Sequence, residues 1–199
     1  MNQSRSDAIE GIIRDSIAVK ERLLHEQTEA IRSAGAVLAQ CANLNRLIML
    51  CGNGGSAADS QHIAAELVVR LRSDVNRRAI KALALTTDSS VLTAGGNDYG
   101  FDRVFSRQIE AFGDSGDVLI AISTSGTSKN VVLAVEEARN RGVRTIGLLG
   151  GTGGVLKELC DHAVVVPSLV TARIQECHIM IGHIWCEMIE EGITELRNY

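Results

Sequence analysis

The sequence predicts an α/β fold, a doubly wound five-stranded parallel sheet carrying a helical extension at its N-terminus. Three observations carry that reading. Five short, nearly continuous apolar runs recur at residues 47–51, 80–85, 118–122, 143–149 and 163–166. A turn signal and then a stretch at helical spacing follow each run, and apolar strands separated by helices belong to a parallel sheet covered on both faces. A long segment of helical periodicity precedes the first run.

That first segment spans about residues 6–41, where Ile9, Ile13, Ile17, Leu24 and Ile31 recur among charged residues. It reads as one long or two consecutive amphipathic helices. An extension of this kind packs either on a partner subunit, giving a homo-oligomer, or on its own domain. The expected organisation is a single domain over residues 1–199, with helices in 1–43 used in oligomer packing and an α/β core in 44–199. A chain of 199 residues, 45% hydrophobic and with one proline, is long enough for one sizeable core.

Ligands of such sheets bind beyond the carboxyl ends of the strands, so the residue after each strand is the place to look for chemistry. The first run ends in Cys51-Gly52-Asn53-Gly54-Gly55-Ser56 and passes straight into a helix near Ala57. Glycines let the backbone approach an anion, and the free N–H groups and positive dipole end of the helix attract it. Gly52, Gly54 and Ala57 also fit a relaxed dinucleotide fingerprint, but the acidic residue expected about 20 positions on is missing, because Asp88 is too distant and Asp74 precedes the second strand. Without a Gly-Lys-Ser/Thr order, a triphosphate loop is excluded as well, and no nucleotide is expected.

The third run opens into Ser123-Thr124-Ser125-Gly126-Thr127-Ser128. Hydroxyls here cap helices, yet so many in succession exceed what capping needs. Hydroxyls with amides at a helix N-terminus suit a phosphomonoester held by neutral donors. The glycine-rich segment 147–154 reads as a flexible turn after the fourth strand.

Composition narrows the partners. A formal charge of −4, from 20 basic and 24 acidic residues, offers no excess of cations for nucleic acid or an anionic membrane. No basic n-region precedes an apolar stretch, and no apolar run approaches the roughly 20 residues a bilayer requires. Cys41, Cys51, Cys160, Cys177 and Cys186 are odd in number and contain no CxxC pair. They read as reduced, buried thiols in a cytoplasmic protein, neither a disulfide framework nor a cysteine zinc site.

With both loops in view, the chain resembles the sugar isomerase (SIS) domain family of flavodoxin-like α/β proteins, and within it the phosphoheptose isomerases. The resemblance runs through CGNGGSAADSQHIAAEL, ALTTDSSVLTAGGNDYGFDRVFSRQ, GDVLIAISTSGTS and TARIQECHIMIGH. The hydroxyl loop indicates only the superfamily, whereas His62 and Glu66 in the first crossover helix combined with Gln175 and His183 in the last are far more specific. The resemblance implies a homotetramer with sites between subunits. It would convert sedoheptulose 7-phosphate to D-glycero-D-manno-heptose 7-phosphate, the first step towards the ADP- or GDP-activated heptose of surface polysaccharide such as lipopolysaccharide. Residue by residue, Ser56, Ser123, Thr124, Ser125 and Ser128 would hold the phosphate, Asn53, Arg70, Asp98 and Gln175 would contact the sugar, and Gly54 and Gly55 would line the substrate site. One zinc ion per subunit would fall to His62, Glu66, Gln175 and His183. Some members place an acidic residue three positions before the glutamine, where this chain has Ala172.

Moving a carbonyl between C2 and C1 requires one carbon-bound proton to leave and one to return at the neighbouring carbon. A carboxylate and an imidazole facing each other can serve as base and acid, and Glu66 and His183 are the expected pair. His62 and Glu66, four apart, share a helix face, as do Gln175 and His183, eight apart. His178 reads as a core or supporting residue, and His25 and His162 carry no chemical signal. Two other readings stand beside catalysis: a non-catalytic SIS protein that binds the bacterial replication initiator, and a sugar-phosphate sensor. The first kind resembles this chain in the phosphate loops but lacks the helix carboxylate and the terminal histidine.

Overall fold

The N-terminal periodicity forms one uninterrupted helix, α1 (Gln3–Asn43), of 41 residues and about 60 Å at 1.5 Å per residue. The computed structural model describes the backbone of residues 3–193 and the side chains of residues 7–193. Residues 1–2 and 194–199, which the expected domain includes, lie outside the described residues. Along α1 the buried positions Val19, Leu23, Ile31, Ala34, Leu38 and Ala42 fall three, four or eight apart and so share one stripe. Ile9, Ile12, Ile13 and Ile17, at the same spacing in the first third, are all at least half exposed.

The five apolar runs become β1 (Ile48–Cys51), β2 (Ala82–Ala84), β3 (Val118–Ser123), β4 (Arg144–Gly150) and β5 (His162–Val166). All neighbours pair in parallel in the order β2-β1-β3-β4-β5, the order of the flavodoxin-like doubly wound fold. β2 is shorter than its apolar run, but the ladder continues at both ends: the Ile48 N–H donates to the Lys81 carbonyl and the Leu85 N–H to the Leu50 carbonyl.

Between the strands lie α2 (Gly55–Val68), α3 (Ser89–Tyr99), a single 3₁₀ turn at Phe101–Arg103, α4 (Ser106–Phe112), α5 (Lys129–Asn140) and α6 (Leu156–Leu159), and α7 (Thr171–Gly192) closes the fold. Successive strand residues point to opposite faces. Ile48, Leu50, Ile120, Ile122, Ile146 and Leu148 join the core under α1, α2 and α7. Met49, Cys51, Leu119, Ala121 and Leu149 join the core under α4, α5 and α6. Both faces are covered, which is why the strands read as unbroken apolar runs.

α7 is fastened to α1 by Trp185, whose indole N–H donates to the Ile31 carbonyl at 3.0 Å from a wholly buried position. Gly35 makes room there: a Cβ on it would stand 2.5 Å from the Met188 side chain. Burying one large apolar side chain of this kind contributes about 1.5–3 kcal/mol.

Candidate active site

The strand order reverses direction between β1 and β3. The chain leaves β1 for β2 on one side and later returns to the other side of β1 as β3, so the loops at their carboxyl ends open a crevice where ligands of such sheets bind. Those two loops are the glycine loop 52–56 and the hydroxyl loop 123–128.

The glycine loop is shaped by tight approaches. Gly54 has φ +56, a backbone conformation that favours glycine. A Cβ on Gly52 would stand 3.0 Å from the Ile122 carbonyl oxygen, and one on Gly55 only 2.3 Å from Nε2 of Gln175. The second approach lets Gln175, in the first turns of α7, lie directly on the start of α2.

In the hydroxyl loop, Ser123 Oγ lies 3.2 Å from Ser128 Oγ and accepts from the Gly126 N–H at 3.1 Å. Ser125 Oγ accepts from the Thr127 N–H at 3.3 Å and from its hydroxyl at 3.1 Å. Ser128 stands at the N-cap of α5, yet its hydroxyl makes no capping bond to the helix. The Val131 and Val132 N–H groups donate to the Ser128 carbonyl, so Lys129 and Asn130 carry the first-turn amides left without a partner inside the helix and open to an anion. Lys129 is drawn away to Asp102, 2.6 Å from its Nζ, so the cradle consists of neutral donors. Beside it a cleft of about 270 Å3 opens among Thr124, Ser125, Gly151, Thr152, Ser168 and Thr171.

Asn53 and Asn130 join the two loops by exchanging side-chain amide hydrogen bonds at 2.8 and 2.9 Å. In this arrangement Asn53, expected to contact sugar, commits its amide to the partner loop. Asn130 went unread in the sequence. Its only local sign is its place in the first turn of α5.

Away from the cradle, α2 and α7 run side by side in the same direction. Gln175 meets Gly55 and, farther along, a Cβ on Gly182 would lie 2.5 Å from Ile63. Next to the second contact His62 and His183 face each other with their Nε2 atoms 2.9 Å apart and ring centroids 5.1 Å apart. One imidazole donates and the other accepts. Oε1 of Glu66 lies 3.4 Å from the same His62 Nε2, so the carboxylate and the His183 ring both approach one nitrogen of His62, which lies between the expected acid–base pair. His62 is about half exposed and Glu66 largely covered.

Asp59, one turn before His62, also escaped the sequence reading. Burial raises the pKa of its carboxyl while the nearby His62 opposes the rise, and its Oδ2 is enclosed without a hydrogen-bond partner. Its i, i+3 spacing to His62 was the available signal. His178 is fully buried, with its Nε2 3.0 Å from the Leu149 carbonyl oxygen. Burial pushes its pKa down to about 4, against the smaller upward pull of that carbonyl, so it is a neutral structural imidazole.

Two expected sugar contacts stand apart within one chain. Arg70 is exposed beyond the far end of α2, roughly 20 Å from Ser56 by helix rise. Asp98, in the last turn of α3, accepts from the Asn97 side-chain amide at 2.8 Å and faces a separate cavity with Tyr99 and Arg107.

His62, Glu66, His183 and Gln175 suit zinc by donor type. Two nitrogens on one tetrahedral zinc stand roughly 3.3 Å apart, given bonds of about 2.0–2.1 Å. The 2.9 Å separation here is that of a hydrogen bond between the rings. Among the described residues, no group of three or more His, Cys, Asp or Glu side chains is arranged to hold a metal ion.

The model of the SIS domain matches residues 13–150. Over 182 residues, 87% of this chain and 96% of the relative, the sequence is 56% identical to the phosphoheptose isomerase of a Nitratiruptor species. The chain belongs to the phosphoheptose isomerases of the SIS-domain family. Solved structures of that family superpose closely on it. The phosphoheptose isomerase of Neisseria gonorrhoeae, 42% identical, matches with a TM-score of 0.88 over 94% of this chain and 98% of its own. That of Francisella tularensis, 35% identical, matches with a TM-score of 0.89 over the same shares.

Proposed function

We propose that the chain interconverts sedoheptulose 7-phosphate and D-glycero-D-manno-heptose 7-phosphate through an enediol, the first step in making an activated heptose for a surface polysaccharide. The observation that carries this is the convergence of Glu66, His62 and His183 on two parallel helices whose N-terminal ends border the neutral cradle. From Gly55 to His62 the helix rises about 10 Å, in the range of an extended seven-carbon chain with a terminal phosphate.

The cradle anchors the phosphate, and the remainder of the sugar lies along the groove between α2 and α7. Glu66 takes the proton from C1 of the ketose and returns it at C2. His183 protonates O2 as the enediol forms and is restored by the proton leaving O1, so protons balance over the cycle. His62 orients both groups by touching each. His62, Glu66, Gln175 and His183 would hold one zinc ion per subunit, whose charge stabilises an enediolate. Enzyme treated with a chelator and then supplied with zinc tests that part: recovered activity supports it, and undiminished activity in metal-stripped enzyme rejects it.

The active unit is a homotetramer with sites between subunits. The exposed isoleucine stripe on α1 supports this, as does an apolar groove of about 470 Å3 between α1 and α7, lined by Leu23, Leu24, Ile31, Met180, Ile184 and Met188. Neighbouring subunits would then bring Arg70 and Asp98 to the sugar. Free thiols and a phosphorylated substrate support a cytoplasmic location.

The test is aldose formation from sedoheptulose 7-phosphate. Glu66→Gln keeps the shape of the side chain and removes its basicity, so kcat should fall about 10²–10⁴-fold with binding retained. Ser125→Ala should instead raise KM, by loss of a hydrogen bond to a charged group worth about 1.5–3 kcal/mol. Wild-type turnover in the first variant would remove Glu66 as the base.

A further inference from the structure

Behind the reacting groups lies a second polar assembly, wholly inside the protein. The side chains of Arg77 and Glu190 are each only 2% exposed and form an ion pair, with Arg77 Nε donating to Glu190 Oε1 at 2.9 Å. The rest of the guanidinium turns to the end of α2. Its Nη2 donates to the Glu66 carbonyl at 2.7 Å, and its Nη1 to the Leu67 carbonyl at 2.9 Å and to the Arg78 carbonyl at 3.0 Å. Glu190 Oε1 also accepts from the Leu71 N–H at 3.0 Å, and its Oε2 is enclosed without a hydrogen-bond partner.

A helix leaves its last four carbonyls without internal partners, and glycine or a turn commonly resolves them. Here the fork of an arginine from the following loop does so, and two of the carbonyls it meets belong to Glu66 and its neighbour. Guanidinium geometry allows several such bonds in one plane, which an ammonium cannot reproduce. On α7, Glu190 follows His183 by seven residues, two turns along the same face. One face of α7 therefore meets α2 twice, at His62 through His183 and at the Glu66 and Leu67 carbonyls through Glu190 and Arg77.

Replacing a buried ion pair by apolar groups of similar size is often neutral or stabilising for a fold. The stability of the ion pair alone therefore does not explain a guanidinium bonded to the backbone carbonyl of Glu66. We infer that Arg77 and Glu190 are positioning residues that fix the axial register of α2 against α7, and with it the distance from Glu66 and His62 to His183.

This rests on the isomerase reading, and the experiment separates the two. The double variant Arg77→Met/Glu190→Leu removes both charges together and leaves neither stranded. It should fold but melt below the wild type, because the Glu66 and Arg78 carbonyls and the Leu71 N–H lose their partners, and it should lose tenfold or more in kcat on sedoheptulose 7-phosphate. KM should stay within about twofold, because the cradle sits on other loops. Its crystal structure should show the two imidazoles moved out of hydrogen-bond distance. A folded double variant with wild-type kcat, or with the 2.9 Å contact intact, overturns the inference. An inactive wild type overturns the isomerase reading instead and leaves the imidazole separation to decide the clamp. If the double variant does not fold, Arg77→Lys decides: it keeps the charge but not the fork, and should show the same loss in kcat at unchanged KM. Full activity in that variant refutes the role.

Discussion

His178 sits on α7 three residues after Gln175, yet it does different work from the solvent-accessible His62 and His183. Its pKa of about 4 lies below the ordinary 6.5 because burial penalises the charged ring. The sign of the consequence is fixed by linkage. Between pH 6.5 and 4 the unfolded chain binds a proton that the native protein refuses, so the stabilising contribution is complete above 6.5 and declines as the pH falls towards 4. The loss across that window is roughly 3 kcal/mol. Urea unfolding of the wild type and of His178→Gln at about pH 7 and about pH 4.5 should show the larger acid loss in the wild type. Equal losses would mean that another group governs the acid limb.

At the scale of elements, the close contact of α2 with α7 is the feature on which the site depends. Gly182→Ala would bring a Cβ within 2.5 Å of Ile63 Cδ1 and 2.7 Å of its Cγ1, an overpacking that costs about 1–3 kcal/mol. Ile63→Ala removes both clashing atoms, so the double variant should lose less stability than the sum of the two single changes. Simple additivity in denaturant titrations would show that the helices part without effort. The same two helices mark how far the sequence could be read. All five strands were legible because buried parallel strands carry unbroken apolar runs. α2 and α7 were legible as elements because the His62–Glu66 and Gln175–His183 spacings fit a helix. Neither spacing shows that His62 lies between Glu66 and His183, because that depends on how two helices 121 residues apart in their facing histidines settle against each other. Arg77 reads in sequence as one of two adjacent basic loop residues, and only packing turns it inward to Glu190. The Asn53–Asn130 exchange was hidden in the same way, since each amide is unremarkable until the loops meet.

At the scale of the whole molecule, the first third of α1 presents Ile9, Ile12, Ile13 and Ile17 outward beside a further surface cavity lined by Ile9, Ile13 and Ile17. Chains that expose contiguous apolar surface of this kind commonly cover it with a partner. If α1 is an interface between subunits, Ile13→Asp/Ile17→Asp should lower the mass measured by sedimentation below that of the wild type. If Arg70 and Asp98 act across subunits, turnover should fall with it. Unchanged mass would release α1 from the interface.

One property of the buried thiols bears on how such helices move. Cys186 lies on α7 between His183 and Glu190, wholly enclosed, and burial first, then the Glu66 and Glu190 charges, push its pKa up to about 12. A maleimide or disulfide reagent in solution can attack it only after the two helices separate, so the labelling kinetics of this one sulfur time the breathing of the groove. The protein thus carries its own reporter thiol at the seam of the candidate site, with no introduced cysteine required.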